Sequence, residues 1–243
     1  MNTLPHHICH ARQNQLLAVL PDAAWSHWQP QLEQMDLFLG QVLCESGRTP
    51  AFVYFPTTAI VSLMYMTLDG ASSEVAVVGN DGIVGISLFM GGTATPSQAV
   101  VHSAGKVYRL PARVVRNELE SAGPVLKMLL RYTQTMIAQV AQTAVCNRYH
   151  SIDQQLCRRL LLSLDRLPSD ELVMTQELAA NLLGVRREGV TAAAIKLQLD
   201  GVIRYNRGHI VVLDRQQLEQ RACECYSVAR KECDRMLQMP LAA

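Results

Sequence analysis

The spacing of hydrophobic positions along this chain changes twice. From about Val42 to Leu110 they come in short, β-branched runs: Val53-Tyr54-Phe55, Ile60 to Met66, Glu74 to Val78, Ala99 to His102 and Lys106 to Leu110. Turn signals stand between them, at Glu45-Ser46-Gly47, Asp69-Gly70, Gly79-Asn80-Asp81-Gly82, Gly91-Gly92 and Ser103-Ala104-Gly105. Short strands at near-regular spacing predict a β-sandwich or barrel, closed so that its edges are hidden. Ahead of it, Asn14 to Leu20 predicts a short helix stopped by Pro21.

From Pro124 the period becomes helical, with proline well placed at a helix start because its missing N–H has no partner there anyway. Leu126, Leu130, Thr133, Ile137, Val140 and Ala144 then recur at steps of four, three, four, three and four. That is the a/d seam of a coiled coil, and it predicts a homodimer paired through this helix. A third zone runs from about Ser151 to Asp214. Gln155 to Leu167 predicts one helix, Pro168-Ser169-Asp170 breaks it, and two shorter helices and a β-hairpin follow.

Composition narrows the class. With 49% hydrophobic and 18% charged residues in 243, the chain is not disordered. Lys plus Arg number 22 against 21 Asp plus Glu, a net charge of +1, so any nucleic-acid contact must come from a local patch. Thr49 to Leu68 and Gly82 to Val101 each run twenty residues without a charge. Both are broken by proline, serine and threonine, and they read as buried strands rather than membrane spans. Without a basic segment leading into an apolar run at the start, the expected location is cytoplasmic, with no membrane partner. The seven cysteines, an odd count, suggest reduced thiols.

The third zone carries the most specific motif. Thr175 is a good N-cap, and Leu178, Ala179, Leu182 and Leu183 form the apolar face of a helix stopped by Gly184. A second helix begins near Arg187, turns Val190, Ala194 and Leu197 inward, and ends at Asp200-Gly201. Two short helices joined by a glycine-containing turn are the helix-turn-helix signature. Arg187, Glu188 and Thr191 project from the second helix's first turn, where such a helix reaches base edges. Arginine pairs bidentately with guanine and glutamate accepts from cytosine. Val202 to Val212 closes the unit as a hairpin about Asn206-Arg207-Gly208, a wing whose Arg207 and His209 suit phosphate. Between Met174 and Leu213, Arg186, Arg187, Lys196, Arg204 and Arg207 outnumber Glu177, Glu188 and Asp200, five against three.

A β-rich domain, a long dimer helix, the run from Thr175 to Arg187 and a wing together resemble the Crp/Fnr family of bacterial transcription regulators. The resemblance implies an α+β chain. Its parts would be a cyclic-nucleotide-binding-like β-barrel (a jelly roll) over 1–123, a dimerisation helix over 124–150, a winged helix-turn-helix over 151–215 and a helical tail over 216–243. It further implies double-stranded DNA with an inverted-repeat operator, and contact with RNA polymerase. The family's base-reading positions fall on Arg187, Glu188 and Ala192, and Ala192 replaces a characteristic arginine; Thr191 and Arg186 are candidates to compensate. The expected DNA-facing set is Thr175, Gln176, Arg186, Arg187, Glu188, Thr191, Lys196, Arg207 and His209.

At the sensory end the chain departs from the family pattern. Val84-Gly85-Ile86-Ser87 stands where cyclic-nucleotide binders place a Glu for the ribose, and Pro96-Ser97-Gln98-Ala99 where they place an Arg for the phosphate. A buried phosphate without a cation is poorly compensated, so cyclic AMP is not expected to bind. The family's iron–sulfur branch needs four thiolates clustered near the start, where only Cys9 and Cys44 lie.

No cofactor or metal is expected. If Gln216 to Leu237 is one helix, Cys223 points about 200° away from Cys225 and the two cannot share a metal. Leu218, Ala222, Cys225, Ala229, Cys233 and Met236 would form its apolar stripe, with Tyr226 on the solvated side. His6, His7 and His10 lie at the terminus, His102 stands alone in the β-zone, and His150, near Asp153, reads as a hinge-region surface residue. No catalytic fingerprint is present, so an enzyme is not expected. The alternative function is a ligand or redox sensor acting through protein contacts, its helix-turn-helix vestigial.

Overall fold

The computed structural model describes residues 10–92, 94–120 and 123–238; Cys9, His6 and His7 lie outside them. Asn14 caps α1 (Gln15–Ala18), accepting from the N–H groups of Leu16 and Leu17. Its amide nitrogen donates to the carbonyls of Pro56 and Gly82, so this buried side chain ties the N-terminal segment to two points of the barrel. α2 (Asp22–Trp28) follows and seats Trp28 against Phe55.

Seven strands form two facing antiparallel sheets: β1 (Glu33–Leu37), β2 (Val42–Cys44), β3 (Phe52–Pro56), β4 (Ile60–Met66), β5 (Ser72–Val78), β6 (Gln98–Ser103) and β7 (Gly105–Pro111). One sheet has the order β1-β7-β3, the other β2-β6-β4-β5. The expected barrel is therefore present, and β4 coincides with the predicted Ile60 to Met66. β1 was not foreseen. As an exposed edge strand, Glu33-Gln34-Met35-Asp36-Leu37 has little apolar alternation to detect.

The four-stranded sheet explains the uncharged runs. Val61, Ala76, Val78, Ala99 and Val101 face the barrel interior, while Ile60, Met64 and Val77 belong to the core of the C-terminal half. A sheet buried on both faces selects continuous apolar sequence.

After α3 (Ala112–Glu120), the helix predicted from Pro124 runs as α4 (Pro124–Tyr149). One face packs on the barrel through Val125, Met128, Leu129, Tyr132 and Met136. Gln139 accepts the backbone N–H of Val77 at 3.1 Å, and the Tyr132 hydroxyl donates to the Ile83 carbonyl at 3.1 Å. Thr133 corrects the predicted seam. It is buried within the protomer and its hydroxyl turns back to the Leu129 carbonyl. Leu130, Ile137, Val140 and Ala144 remain exposed and Leu126 partly so.

α5 (Ile152–Leu164) begins three residues earlier than predicted because Ser151 and Gln154 form a capping box. β8 (Glu171–Val173), α6 (Gln176–Leu183), α7 (Arg187–Leu199), β9 (Ile203–Asn206) and β10 (His209–Val212) complete the DNA-binding unit, with sheet order β8-β10-β9. β8, a third wing strand of three residues, was too short to read from the sequence.

The tail is two helices rather than one, α8 (Arg215–Arg221) and α9 (Glu224–Gln238), with extended backbone at Ala222 between them. The single-helix geometry assumed for Cys223 and Cys225 does not hold. Tyr226 is buried, not solvated, and its hydroxyl contacts Asp165 and Arg215.

Buried charge fastens the two halves together. Arg159 on α5 reaches the outer face of the four-stranded sheet, with Nε 2.8 Å from Glu74 Oε1 and Nη2 donating to Glu74 Oε2 at 3.0 Å. The Ser62 hydroxyl donates to Glu74, and His102 Nδ1 lies 2.7 Å from Ser62 Oγ. Arg159 Nη2 is 2.9 Å from His102 Nε2. One tautomer satisfies the two short contacts: His102 donates from Nδ1 to Ser62 and accepts from Arg159 at Nε2. Burial, then the charges of Arg159 and Arg166, push the His102 pKa well below the usual imidazole range. His102 is thus not alone; β4, β5 and β6 bring Ser62, Glu74 and His102 together, and the Arg159 guanidinium bonds Glu74 and His102. A second pair joins Arg166 to Asp81, Nη2 to Oδ2 at 2.6 Å and Nε to Oδ1 at 3.0 Å.

Removing one partner of a buried pair leaves the other charge uncompensated. Arg159→Met is expected to destabilise the protein by about 3–5 kcal/mol, read as a lowered urea midpoint.

Candidate nucleic-acid interface

The Thr175 hydroxyl accepts the Leu178 N–H at 3.1 Å and starts α6. Gly184, at φ 66°, ends that helix in the left-handed region. A Cβ there would bear the left-handed steric penalty and also meet Ser73 Oγ at 3.0 Å, so the turn admits little but glycine. After Val185 and Arg186 the chain enters α7. Val190, Ala194 and Leu197 point inward as expected, joined by Ala193.

The outer face of α7 is open. Arg186, Arg187, Glu188, Ala192 and Ile195 are exposed. The Thr191 hydroxyl lies 2.7 Å from Gln176 Oε1 and 3.0 Å from the Arg187 carbonyl, its one proton shared between these acceptors, and links the two helices across their groove. Between helices and wing lies a groove of about 510 Å³, lined by Thr175, Gln176, Glu177, Arg187, Ile195, Gln198, Tyr205 and Arg207. Tyr205 is braced by its hydroxyl donating to the Met174 carbonyl at 2.9 Å. Burial raises the Tyr205 pKa, with the Arg187 charge opposing that shift, so Tyr205 stays a neutral phenol.

The wing turns on Arg207-Gly208 with φ of 48° and 85°. Two successive positive values make the tight primed turn that suits the twist of a hairpin, and an arginine held there projects from the tip. Among the described residues, Arg186, Arg187, Arg204 and Arg207 make no ion pair. These cations remain open to an external anion.

Two residues of the expected DNA-facing set have carboxylate partners within the protein. Lys196 lies half a turn around α7 from Arg187 and pairs with Asp153 at 2.8 Å. His209 Nδ1 lies 2.8 Å from Glu171 Oε1 on β8, so its first partner is a carboxylate of the wing itself. The sequence signal for β8 was too short to reveal that partner. Conversely, Gln198 and Tyr205 line the groove and were not singled out. Gln198 accepts the Tyr205 N–H at 2.9 Å, a link between helix and wing that only the folded chain creates.

A cavity of about 240 Å³ lies between the barrel interior and α4, walled by Leu63, Tyr65, Val84, Ile86, Ala99, Met136 and Val140. Among the described residues its lining holds no Lys, Arg, His, Asp or Glu. Gly85 and Ser87 face it, as do Thr95 and Ser97, so the two segments compared with the ribose and phosphate sites do meet here.

Comparison with known proteins follows the same division. The cyclic nucleotide-binding domain matches residues 38–122 and the Crp-like helix-turn-helix domain residues 154–221, together more than half of the chain. A solved structure assigned to the Crp/Fnr transcriptional regulators of Eubacterium rectale is 18% identical, covers 90% of this chain and 99% of its own, and has a TM-score of 0.67. FixK2 of Bradyrhizobium japonicum is 16% identical over 79% of this chain and 98% of its own, with a TM-score of 0.66. CLP of Xanthomonas campestris, described as a c-di-GMP responsive global regulator, is 15% identical over 79% and 99%, with a TM-score of 0.60. No curated protein matches the sequence. The chain belongs to the Crp/Fnr family: it is a transcription regulator with a helix-turn-helix DNA-binding domain, a class of regulators rather than enzymes. Among the described residues no helix is long and apolar enough to cross a membrane.

A phosphodiester in the barrel cavity would find no cation among the described lining residues to offset its desolvation. Millimolar cyclic AMP is expected to leave the melting temperature unchanged in a thermal-shift assay, whereas a bound ligand would raise it.

Proposed function

We propose that the chain acts as a cytoplasmic homodimer, each protomer laying α7 in the major groove of an inverted-repeat operator. The observation that carries this reading is the set of uncommitted arginines on the open face of α7 and at the wing tip. Arg187 and Glu188, at the helix start, are the proposed base readers. Arg186 and Arg207 are the proposed phosphate contacts, and Ile195 can lie against a thymine methyl. Gln176 and Thr191 hold α6 and α7 in register rather than reading bases. Lys196 and His209 keep their carboxylate partners and are secondary. Contact with RNA polymerase from that operator is part of the proposal by analogy with the family.

Pairing rests on α4. Leu130 and Ile137 are 52% and 59% exposed on a helix whose opposite face is sealed against the barrel. With Leu126, Ala141 and Ala144 they make one apolar stripe, and Val140 lies at its edge. Two such stripes packed together would set two recognition helices about 34 Å apart, one turn of DNA.

Arg187→Ala is expected to weaken operator binding by roughly 1–3 kcal/mol and leave non-specific binding largely intact, as measured by fluorescence anisotropy on specific and scrambled duplexes. Binding of both proteins should fall steeply as salt rises. Unchanged operator affinity in the variant would remove Arg187 as a base reader.

Ile137→Glu places a charge in the proposed seam and is expected to give a monomer in sedimentation equilibrium at concentrations where the parent is a dimer. A variant that still sediments as a dimer would place the interface elsewhere.

A further inference from the structure

Three cysteines stand apart from both hydrophobic cores. Cys146, Cys223 and Cys225 are each buried and cluster with one another rather than with the aliphatic side chains. Cys146 sits on the last turn of α4, and His150, four residues on, caps that helix on the same face. Cys223 lies in the joint between α8 and α9, and Cys225 is the second residue of α9. The break in the tail is what lets Cys223 and Cys225 turn toward one point.

The four donor atoms lie within 4.8 Å of one another. Cys146 Sγ is 3.5 Å from Cys223 Sγ, and Cys225 Sγ is 3.4 Å from His150 Nδ1. In a tetrahedral zinc site with Zn–S about 2.3 Å and Zn–N about 2.0–2.1 Å, the corresponding edges are about 3.8 Å and about 3.6 Å. The cluster already has nearly those dimensions.

From this geometry we infer that Cys146, His150, Cys223 and Cys225 are the ligands of a closed, structural zinc site. Thiolate and imidazole donors in tetrahedral array select zinc, and four protein ligands leave no open position for catalysis. Binding Zn²⁺ by three thiols and a neutral imidazole releases three protons and leaves a net charge of −1 on the centre.

The surroundings suit that charge. His150 turns Nδ1 to the cluster and has Nε2 3.3 Å from Glu224 Oε1, the carboxylate–imidazole arrangement that orients a metal-bound histidine. Gln142 Nε2 donates to Cys225 Sγ at 2.9 Å, as a donor to a coordinated thiolate should. Arg158, 5% exposed, acts electrostatically on Cys146, and its buried Nε has no hydrogen-bond partner. The metal would clip the tail to the junction of α4 and α5, the point from which the DNA-binding unit departs. This assignment does not depend on how DNA is read.

The test uses the full chain purified from zinc-supplemented cells. Elemental mass spectrometry after dialysis is expected to find one zinc per chain. Cobalt added to the chelator-stripped protein should give the visible bands of tetrahedral Co²⁺ with thiolate-to-metal charge transfer. Cys223→Ser should abolish that spectrum, while Cys157→Ser, outside the cluster, should preserve it. Should the cysteine variant fail to fold, Glu224→Ala supplies an independent reading: zinc affinity, by chelator competition, is expected to drop roughly ten- to a hundredfold. Absence of zinc with no tetrahedral cobalt spectrum overturns the assignment. So does iron with acid-labile sulfide, or a cobalt site that survives Cys223→Ser.

Discussion

The arrangement of this molecule depends on two arginines removed from water between its halves. Arg159 and Arg166 leave α5 and its C-terminal end and find their carboxylates, Glu74 and Asp81, on the barrel. Such pairs add little net stability because desolvation offsets most of their attraction, but any other docking of the two halves would strand a buried charge. They act as a registration device: apolar contact between sheet and helices could slide, whereas a guanidinium held by Glu74 and His102 could not.

Fixing that interface fixes the site. Because the outer face of β4, β5 and β6 is taken by α5 and α6, the opposite side of the DNA-binding unit is left to solvent, and α7 and the wing occupy it. The helix α4 then becomes the common member of the remaining features. Its Met136 and Val140 wall the barrel cavity, its Leu130 and Ile137 make the exposed stripe, and its last turn holds Cys146 and His150. A change in what fills the cavity would bear directly on the helix that carries the proposed pairing surface.

Much of this was legible in the chain. The change from β-branched runs to a helical period marks the barrel and α4, and the run from Thr175 through Gly184 to Arg187 marks two helices and the turn between them. These signals are local, set by spacing and caps within a few residues. What the sequence concealed is non-local. Thr133 falls on the a/d spacing as well as Ile137 does, and only packing shows that the barrel claims it. Lys196 and His209 are suitable donors for DNA phosphate but lie beside Asp153 and Glu171, partners distant in sequence. The meeting of Cys223 and Cys225 is hidden for the same reason, since a single helix over Gln216 to Leu237 would point them apart. Nothing between Arg221 and Glu224 advertises a break, since neither glycine nor proline is there.

The amino-acid sequence by itself determined the order of the elements, the two uncharged strand regions and the helix-turn-helix with its arginines, because hydrophobic period, capping and turn chemistry act at short range. The tertiary structure alone decided which charges are spent inside the protein and which face outward, and it alone assembled Cys146 and His150 with Cys223 and Cys225. Both outcomes turn on contacts between residues far apart in sequence, 77 positions for Cys146 and Cys223 and 85 for Arg159 and Glu74, and pairings of that reach leave no period in the chain.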